Sequence, residues 1–328
     1  MFKFNQTFLD RNAIVRDDPE QIERLASDPR VKLILFNERF QVLMSPDGIH
    51  TANAAHDSQA PQSSEWLYLG QSQPYVTTSG GTDITNTDSI RSESSNHKSN
   101  NAPWFCAIIN SHSFELQHHR QWSDLRLTMS AIAEPEASAV AFAKALLYWH
   151  KKHQYCGKCG EKTIIQSSGH ERQCTACQQV VYPRTDPAII ISVTHKGRLL
   201  LARQASWPPA RYSVLAGFVE PGESFEQAAE REVLEESGIT IHSPEYIASQ
   251  PWPFPCSIMI GFTAEAKNDA INLDDDELEH AFWVEPEELI SKLAAGELKL
   301  PTYGSISHYL IDRWADQHGV SISRWDHP

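Results

Sequence analysis

The chain has 328 residues, 41% of them hydrophobic and 21% charged, and its formal net charge is −14. This composition argues against a disordered chain and against a protein that binds long nucleic acids through a broad surface, because an acidic surface repels phosphates. No apolar run approaches the roughly 18 residues of a membrane helix, and the first residues lack the pattern of a secretory signal. We therefore expect a soluble, cytoplasmic protein of about two domains that binds neither membranes nor DNA. Small anionic substrates remain compatible with this charge, because a bound divalent cation reverses the local field.

The first part of the chain contains short apolar runs that are typical of strands. The runs are residues 31–36, 41–44, 66–69 and 105–109. They predict a strand-rich α+β domain over residues 1–130. A stretch near 77–101 is almost entirely Ser, Thr, Asn, Asp and Gly, so it buries too little apolar surface to offset the entropy of ordering, and we interpret it as a flexible insertion.

A helix is predicted after Pro135, because apolar residues recur there at helical spacing, and it leads into two C-x-x-C pairs. The pairs are Cys156 with Cys159 and Cys174 with Cys177. Two such turns can direct four thiolates at one centre, which predicts a structural zinc ion, one per chain, and a helix and zinc ribbon over residues 131–182. A redox dithiol is the alternative. Cys106 and Cys256 have no partner motif, so we expect ordinary buried thiols.

The elements after the ribbon alternate between strands and a helix, which predicts an α/β or α+β domain over residues 183–328. Strands are expected at 188–193 and 198–201, then at 212–219, and later near 246–249 and 258–264. Ser224 and Gln227 have the spacing of a capping box and Gly238 ends the same helix. A last helix is expected over 305–316.

Three carboxylates lie on one face of the predicted helix that follows Ser224. Glu232, Glu235 and Glu236 have i, i+3 and i+4 spacing, so they repel one another unless a cation lies between them. Carboxylate oxygens are the ligands that Mg²⁺ and Mn²⁺ prefer. The alternative is a solvated acidic helix surface.

Residues 217–239 match every fixed position of the pattern G-x5-E-x7-R-E-U-x-E-E-x-G-U, in which U is bulky and aliphatic. Seven fixed residues coincide by chance at roughly 10⁻⁸ per start site. The segment resembles the box of the Nudix hydrolases, which cleave a nucleoside diphosphate linked to another group. The resemblance implies an α/β/α sandwich that contains the box as a strand, a loop and a helix.

The resemblance also implies a role for each residue of the box. Glu232 and Glu236 would bind Mg²⁺ or Mn²⁺ together with the carbonyl of Ala216. Glu235 would bind a second metal or its water, or act as the base. Arg231 and Glu223 would brace the loop and the helix through an ion pair. The implied catalytic residues are therefore Glu232, Glu235 and Glu236.

A second motif, S-Q-P-W-P-F-P-C-S, occupies residues 249–257. Its alternating prolines fix an extended path that cannot be an inner strand, and its aromatic rings suit a flat heterocycle, although a segment that only covers the core is the alternative. The motif resembles the signature of the NADH pyrophosphatase branch of the Nudix family. That branch also has a four-cysteine ribbon before the Nudix domain, a divergent Nudix-like N-terminal domain and a homodimeric assembly.

The resemblance to this branch implies a set of substrate-binding residues. They are Tyr182, Phe218, Gln250, Pro251, Trp252, Pro253, Phe254, Pro255, Cys256, Ser257 and Ser307. Tyr182 and Phe218 match aromatics that sandwich a base across the homodimer. Ser307 stands where the branch is expected to have alanine, so we expect a main-chain contact there. Glu277, in an acidic run, matches a further metal ligand or base, and a solvated acidic surface is the alternative.

The resemblance implies hydrolysis of the pyrophosphate bond of NAD(H), which gives NMN(H) and AMP. Removal of the NAD cap from RNA 5′ ends breaks the same bond and stays an alternative. A non-enzymatic Nudix protein that senses a nucleotide is the third reading, although all carboxylates of the box are present here.

Overall fold

The structure, a computed structural model, describes residues 3–4, 9–52, 59–73, 101–112, 114–116, 119–273 and 277–325. Contacts within the chain divide it into two compact units. The first unit consists of residues 7–123 and 150–182, and the second of residues 1–6, 124–149 and 183–328. The predicted insertion near 77–101 lies outside the described residues except for Asn101.

A mixed sheet forms the centre of the first unit. Its strands are β1 (Leu9–Asp10), β2 (Lys32–Asn37), β3 (Val42–Ser45), β4 (Gly48–Ile49), β5 (Thr51–Ala52), β6 (Leu67–Ser72), β7 (Pro103–Ile109) and β8 (Gln121–Ser123). They lie in the order β1-β6-β7-β2-β3-β4, with β5 beside β2 and β8 beside β3. The four predicted runs correspond to β2, β3, β6 and β7, so these predictions are confirmed.

Two short helices, α1 (Ala13–Arg16) and α2 (Pro19–Ala26), precede β2 and were not predicted. The signal for α2 is local, because Asp18 caps it and Pro19 begins it. Helices α3 (Leu125–Thr128) and α4 (Glu134–Lys152) follow β8. Helix α4 is the one predicted after Pro135.

Three antiparallel strands form the ribbon of the first unit. They are β9 (Thr163–Gln166), β10 (Glu171–Cys174) and β11 (Val180–Val181), and β10 lies in the middle. Polar side chains are buried beside β10. His150 Nε2 donates to the carbonyl of Gly169 at 2.7 Å and its Nδ1 accepts from Arg172 at 2.9 Å, while His170 Nε2 donates to the carbonyl of Tyr68 at 2.8 Å. These bonds satisfy neutral rings.

Acid is expected to destabilise the first unit through these two histidines. Burial lowers the pKa of His150 and of His170 to about 4, from about 6.5 in an unfolded chain. Below pH 6.5 these histidines therefore become protonated in the unfolded chain but stay neutral in the folded unit. Their contribution to the free energy of unfolding is fully present above that pH and is lost as the pH falls towards 4. For each histidine, the free energy of unfolding should fall by about 2 kcal/mol between pH 7 and pH 5.

Urea unfolding of the wild type and of His170→Gln at both pH values measures this effect. The stability difference between the two proteins should shrink at pH 5, because the variant has lost one titrating group. The exposed His112 supplies the control, and His112→Gln should keep the wild-type pH slope. An unchanged difference for His170→Gln would contradict the prediction.

The second unit contains a six-stranded sheet between helices. Its strands are β12 (Asp186–His195), β13 (Arg198–Arg203), β14 (Leu215–Phe218), β15 (Ile241–Trp252), β16 (Ser257–Ala266) and β17 (His280–Val284). Its helices are α5 (Phe225–Ser237), α6 (Pro286–Ala295) and α7 (Ile306–Gln317). The strand order is β15-β16-β12-β13-β17, with β14 beside β12.

Each face of this sheet packs a separate core against helices. Ala228 and Val233 of α5 pack with Ile189 of β12 on one face. Ile306 of α7 and Leu289 of α6 belong to the core on the other face. Alternate residues of one strand point to opposite faces, so the sheet is covered on both sides. The fold is the predicted α/β/α sandwich.

Most predicted elements of the second unit are confirmed. Helix α5 has Ser224 as its N-cap with the full capping box, and it ends at Gly238, which has a φ of 68°. Strand β15, which carries the proline-aromatic motif, is an edge strand as expected. Strand β17 and helix α6 were not predicted, although Pro286 at the first helical position is a helix-start signal. None of the described helices has the length and apolar character needed to cross a membrane.

Candidate active site

The turn between β14 and α5 is held by one arginine. Arg231 Nε and Nη2 donate to the two carboxylate oxygens of Glu223 at 2.6 and 2.9 Å, and Nη2 also donates to the carbonyl of Phe218 at 2.9 Å. Its Nη1 donates to Glu232 and to Glu235, each at 2.9 Å. The predicted bracing ion pair is thus present, and it fixes the loop, the strand end and two carboxylates together.

The three carboxylates of α5 have different environments. Glu236 is buried, with 4% of its surface exposed, whereas Glu235 is exposed. Burial raises the pKa of Glu232, and the nearby charges of Glu235 and Glu277 raise it further, while Arg231 opposes them. Glu277 therefore lies close enough to act on the same cluster, although residues 274–276 of its acidic run lie outside the described residues.

Gly217 forms the floor beneath Glu232. A Cβ atom added at Gly217 would lie 1.9 Å from Glu232 Cδ and 2.1 Å from each of its carboxylate oxygens. Only glycine leaves room for this carboxylate against the strand. The cluster consists of hard oxygen donors with mutual repulsion, and it includes a buried carboxylate, so the residues present fit a bound Mg²⁺ or Mn²⁺ ion.

Substitution of Gly217 by alanine is expected to abolish most activity while the fold survives. The new Cβ displaces the end of a flexible side chain rather than backbone, so the melting temperature should change little. The displaced Glu232 carboxylate should lower kcat/KM by about a hundredfold, because misplacement by about 1 Å has that cost. Steady-state kinetics and thermal melts on the same preparation check this, and a variant with full activity would show that the Glu232 position is not critical.

The four ribbon cysteines form one cluster in the first unit. Their sulfur atoms all lie within 4.8 Å of one another, with Cys156 Sγ 3.7 Å from Cys177 Sγ and Cys159 Sγ 3.4 Å from Cys174 Sγ. Backbone N–H groups of Lys158 and other turn residues donate to these sulfurs, as thiolates require. The cluster is a complete four-thiolate site that fits structural zinc.

The two remaining cysteines differ from each other. Cys106 is fully buried, as predicted, and burial raises the pKa of its thiol. Cys256 is only half-buried, so the prediction of a buried thiol is wrong there, because the turn between β15 and β16 lies at the edge of the sheet. Its thiol donates to Asp186 at 3.5 Å.

A cavity of about 360 Å³ lies in the second unit on the face of the sheet that packs against α7. It is lined by Arg126, Ile190, Trp207, Pro208, Arg211, Tyr212, Ser213, Trp252, Met259, Pro301, Thr302, Ser305, Ile306 and Ser307. Aromatic rings and two guanidinium groups therefore surround one space. In a chain with a net charge of −14, two arginines on one cavity wall favour a bound anion.

The cavity and the box share neighbouring strands. Ile190, which lines the cavity, pairs in register with Ala216, and Ala188 pairs with both Phe218 and the cavity residue Met259. Strand β14, which leads into the box, therefore pairs with a strand that lines the cavity, whereas helix α5 packs on the opposite face of the sheet.

The proline-aromatic motif contributes to the site unevenly. Trp252 lines the cavity, and the Phe254 ring packs edge-on against it with a centroid distance of 4.9 Å. The ammonium of Lys144, whose pKa burial lowers to about 8, lies 4.1 Å from the centroid of the Phe254 ring, and Arg126 lies 4.7 Å from it. Two basic side chains therefore contact the Phe254 ring of the motif through cation–π interactions.

Gln250 is fully buried and serves the fold. Its Nε2 donates to the carbonyls of Lys3 and Gly304 at 2.7 and 2.8 Å, and its Oε1 accepts from the backbone of Ile306 at 2.8 Å. Its amide does not line the cavity. Pro251 and Pro255 are exposed, Pro253 is buried, and Ser257 is half-buried.

The other predicted substrate residues lie in different places. Phe218 is 60% exposed at the end of β14, and Tyr182, in the first unit, is 64% exposed, so both rings are available for stacking. Ser307 lines the cavity at the start of α7.

Apart from Trp252, the aromatic and basic residues that line the cavity were not identified from the sequence. They are Arg126, Trp207, Arg211 and Tyr212. None belongs to a motif of fixed spacing, and Arg126 is distant in the chain from the others. The available signal was weak. Aromatic and basic residues are concentrated between β13 and β14, and a segment of that kind is typical of an ordinary loop.

Three family descriptions match the chain. Residues 183–303 match the NUDIX domain, residues 151–182 the NADH pyrophosphatase zinc ribbon domain, and residues 41–149 the NADH pyrophosphatase-like rudimentary NUDIX domain. These matches place a zinc ribbon on the four-cysteine cluster and a NUDIX domain on the sandwich.

Curated relatives agree with these domains. A protein of Stutzerimonas stutzeri named NAD-capped RNA hydrolase NudC is 41% identical over 192 residues, which is 58% of this chain and 67% of the relative. The human protein named NAD-capped RNA hydrolase NUDT12 is 37% identical over 229 residues, which is 64% of this chain and 50% of that protein. The mouse protein named NAD(P)H pyrophosphatase NUDT13, mitochondrial, is 37% identical over 211 residues, which is 60% of each chain. The chain thus spans about half the length of the human relative.

Proposed function

The chain belongs to the Nudix hydrolase family, in its NADH pyrophosphatase branch, and we propose that it hydrolyses the pyrophosphate bond of NAD(H) to NMN(H) and AMP. One observation carries the proposal: the carboxylate cluster of α5 lies beside Gly217 of β14, and the neighbouring strand β12 contributes Ile190 to a cavity that contains aromatic rings and two arginines. A dinucleotide needs cations for its pyrophosphate and flat surfaces for its rings. The second unit contains both, as carboxylates that would hold the cations and as aromatic rings that line the cavity.

Each carboxylate has a distinct part in the proposed reaction. Glu232 and Glu236, the more buried pair, would hold Mg²⁺ or Mn²⁺ together with the carbonyl of Ala216, and Glu277 would contribute from the second acidic segment. When bound, the ion would neutralise the diphosphate and lower the pKa of a water molecule. Glu235 is exposed and accepts the proton of the attacking water. A second metal or its bound water is the alternative partner of Glu235.

The remaining residues of the site bind and orient the substrate. Water attacks one phosphorus atom, and the bond from that phosphorus to the bridging oxygen breaks, so two phosphate monoesters leave. Arg126 and Arg211 attract the phosphates of the half that occupies the cavity, and Trp252 supplies a ring surface for stacking. The exposed ring of Phe218 supplies a second surface, next to the carboxylates.

Product analysis tests the proposal. The purified protein is incubated with NADH and Mn²⁺, and the products are resolved by chromatography. The expected result is equimolar reduced NMN and AMP, with no turnover when a chelator replaces the metal. Absence of both mononucleotides in the presence of Mn²⁺ would overturn the proposal.

Removal of the NAD cap from RNA 5′ ends is a second candidate function. The printed names of the human and the bacterial relative favour it, and it breaks the same bond. The net charge of −14 argues against contacts with a long RNA, so only the first nucleotides would be held. The ratio of kcat/KM on free NADH to kcat/KM on NAD-capped RNA decides between the two substrates.

We also propose a homodimer, a cytoplasmic location and three domains over residues 1–130, 131–182 and 183–328. The exposed rings of Tyr182 and Phe218 support the dimer, because two large exposed aromatic surfaces are typical of an interface or a stacking site. Analytical ultracentrifugation tests the dimer, and fractionation of the source cells tests the location. Limited proteolysis tests the domain boundaries.

A further inference from the structure

Two serine hydroxyls meet on the wall of the cavity in the second unit. Ser213 Oγ lies 2.6 Å from Ser307 Oγ, and both residues line the cavity although only 9% and 6% of their surfaces are exposed. The two residues are 94 positions apart in the chain. They are brought together only by the packing of α7 on the sheet.

The two hydroxyls are held in fixed positions. The backbone N–H and carbonyl of Ser213 both bond to Ala202 of β13, each at 2.9 Å. Ser307 lies in the first turn of α7, where Gln250 accepts from Ile306 and Ser305 caps the helix. A polar pair on rigid elements is a preorganised binding group rather than a mobile surface feature.

The pair has hydrogen-bonding capacity that the protein leaves unused. One hydroxyl donates to the other, so one O–H hydrogen remains, and among the described residues neither serine has another side-chain partner. The same cavity is also lined by the apolar side chains of Ile190, Met259 and Trp252. A spare donor and a neighbouring oxygen acceptor therefore lie side by side in the wall of the cavity.

We propose that the Ser213–Ser307 hydroxyl pair recognises the substrate heterocycle through an edge that carries an acceptor beside an amino donor. This inference rests on the proposed function and deepens it. A dinucleotide has two such edges, the carboxamide of nicotinamide and the amino edge of adenine. Both edges present a hydrogen-bond acceptor beside an amino donor, so the ring that occupies the cavity makes the contact. Ser307 is thus a specificity-determining residue through its side chain, beyond the expected main-chain contact.

Substrate analogues test the proposal and distinguish the two rings. In 3-acetylpyridine adenine dinucleotide a methyl group replaces the carboxamide amino group. In nicotinamide 1,N6-ethenoadenine dinucleotide the amino edge of adenine is blocked. The wild type should prefer NAD⁺ over one of these analogues, and Ser307→Ala should reduce that preference about tenfold, as expected for the loss of one hydrogen bond.

A second variant keeps the test independent of folding. Ser213→Ala should have the same effect as Ser307→Ala, and the double variant, which leaves no unpaired hydroxyl, should lose little more than either single variant. Ser192→Ala is the matched control, because its buried hydroxyl lies on β12 and does not line the cavity. It should keep the wild-type preference.

The outcomes separate this inference from the proposed function. If the wild type cleaves NAD⁺ but Ser307→Ala changes kcat/KM for NAD⁺ and both analogues by one common factor, the hydroxyl pair does not read the heterocycle and the inference is wrong. If the wild type cleaves no dinucleotide in the presence of Mn²⁺, the proposed function itself is wrong.

Discussion

Replacement of Glu236 by glutamine should lower kcat/KM by a hundredfold or more, and replacement of Glu235 should do the same. Both substitutions remove a charge that the proposed reaction uses, one for metal binding and one for proton transfer. Glu236 is buried beside the cluster, so the amide should fit its space. Initial rates on NADH across a range of Mn²⁺ concentrations measure the effect.

Stability distinguishes a lost function from a damaged fold. A buried carboxylate among like charges destabilises the metal-free protein, so Glu236→Gln should melt at the same or a higher temperature in chelator. Added Mn²⁺ should stabilise the wild type and have a smaller effect on this variant. Glu230→Gln, an exposed residue of the same helix, removes an equal charge and should keep full activity. Unchanged turnover in both Glu235→Gln and Glu236→Gln would contradict the proposed mechanism.

Replacement of Cys174 by serine should unfold the ribbon rather than slow catalysis selectively. Cys174 is fully buried among the four sulfurs, and structural zinc supplies folding free energy directly. Metal analysis of the wild type should find about one zinc ion per chain, and the variant should have lost most of it. The free energy of unfolding of the first unit should fall by several kcal/mol.

Cys256→Ser is the control for this change, because Cys256 lies outside the cluster and should leave the zinc content unaltered. Chelation of zinc from the wild type should reproduce the instability of Cys174→Ser. A Cys174→Ser protein that keeps its zinc and its melting temperature, but loses kcat, would show that the ribbon metal takes part in the reaction.

Local patterns in the sequence were sufficient for the box and the ribbon. The spacing of Glu232, Glu235 and Glu236 already places them on one helical face, and the capping box at Ser224 fixes where that helix begins. The four cysteines could be assigned for the same reason, since each C-x-x-C turn is a local structure. A site formed by residues that are only a few positions apart can be predicted from the sequence alone.

The cavity could not be predicted in this way. Arg126 precedes α4, Arg211 lies between β13 and β14, and Trp252 ends β15, and only the folded sheet brings them to one wall. Gln250 shows the opposite effect. Its motif predicted a substrate-binding residue, whereas its side-chain amide forms hydrogen bonds with three backbone groups. Whether a polar side chain faces a ligand or the fold depends on neighbours that are remote in sequence.

By itself, the sequence determined the family, the zinc ribbon and the acidic balance that argues against long nucleic acids. The carboxylates of α5 account for part of that charge, and in the proposed function they bind cations. Only the tertiary structure decided that Gly217 makes room for Glu232, that two arginines line one cavity, and that Ser213 meets Ser307 there. Spacing along a helix or a turn fixes local geometry, whereas a cavity is formed by the packing of elements that are distant in the chain.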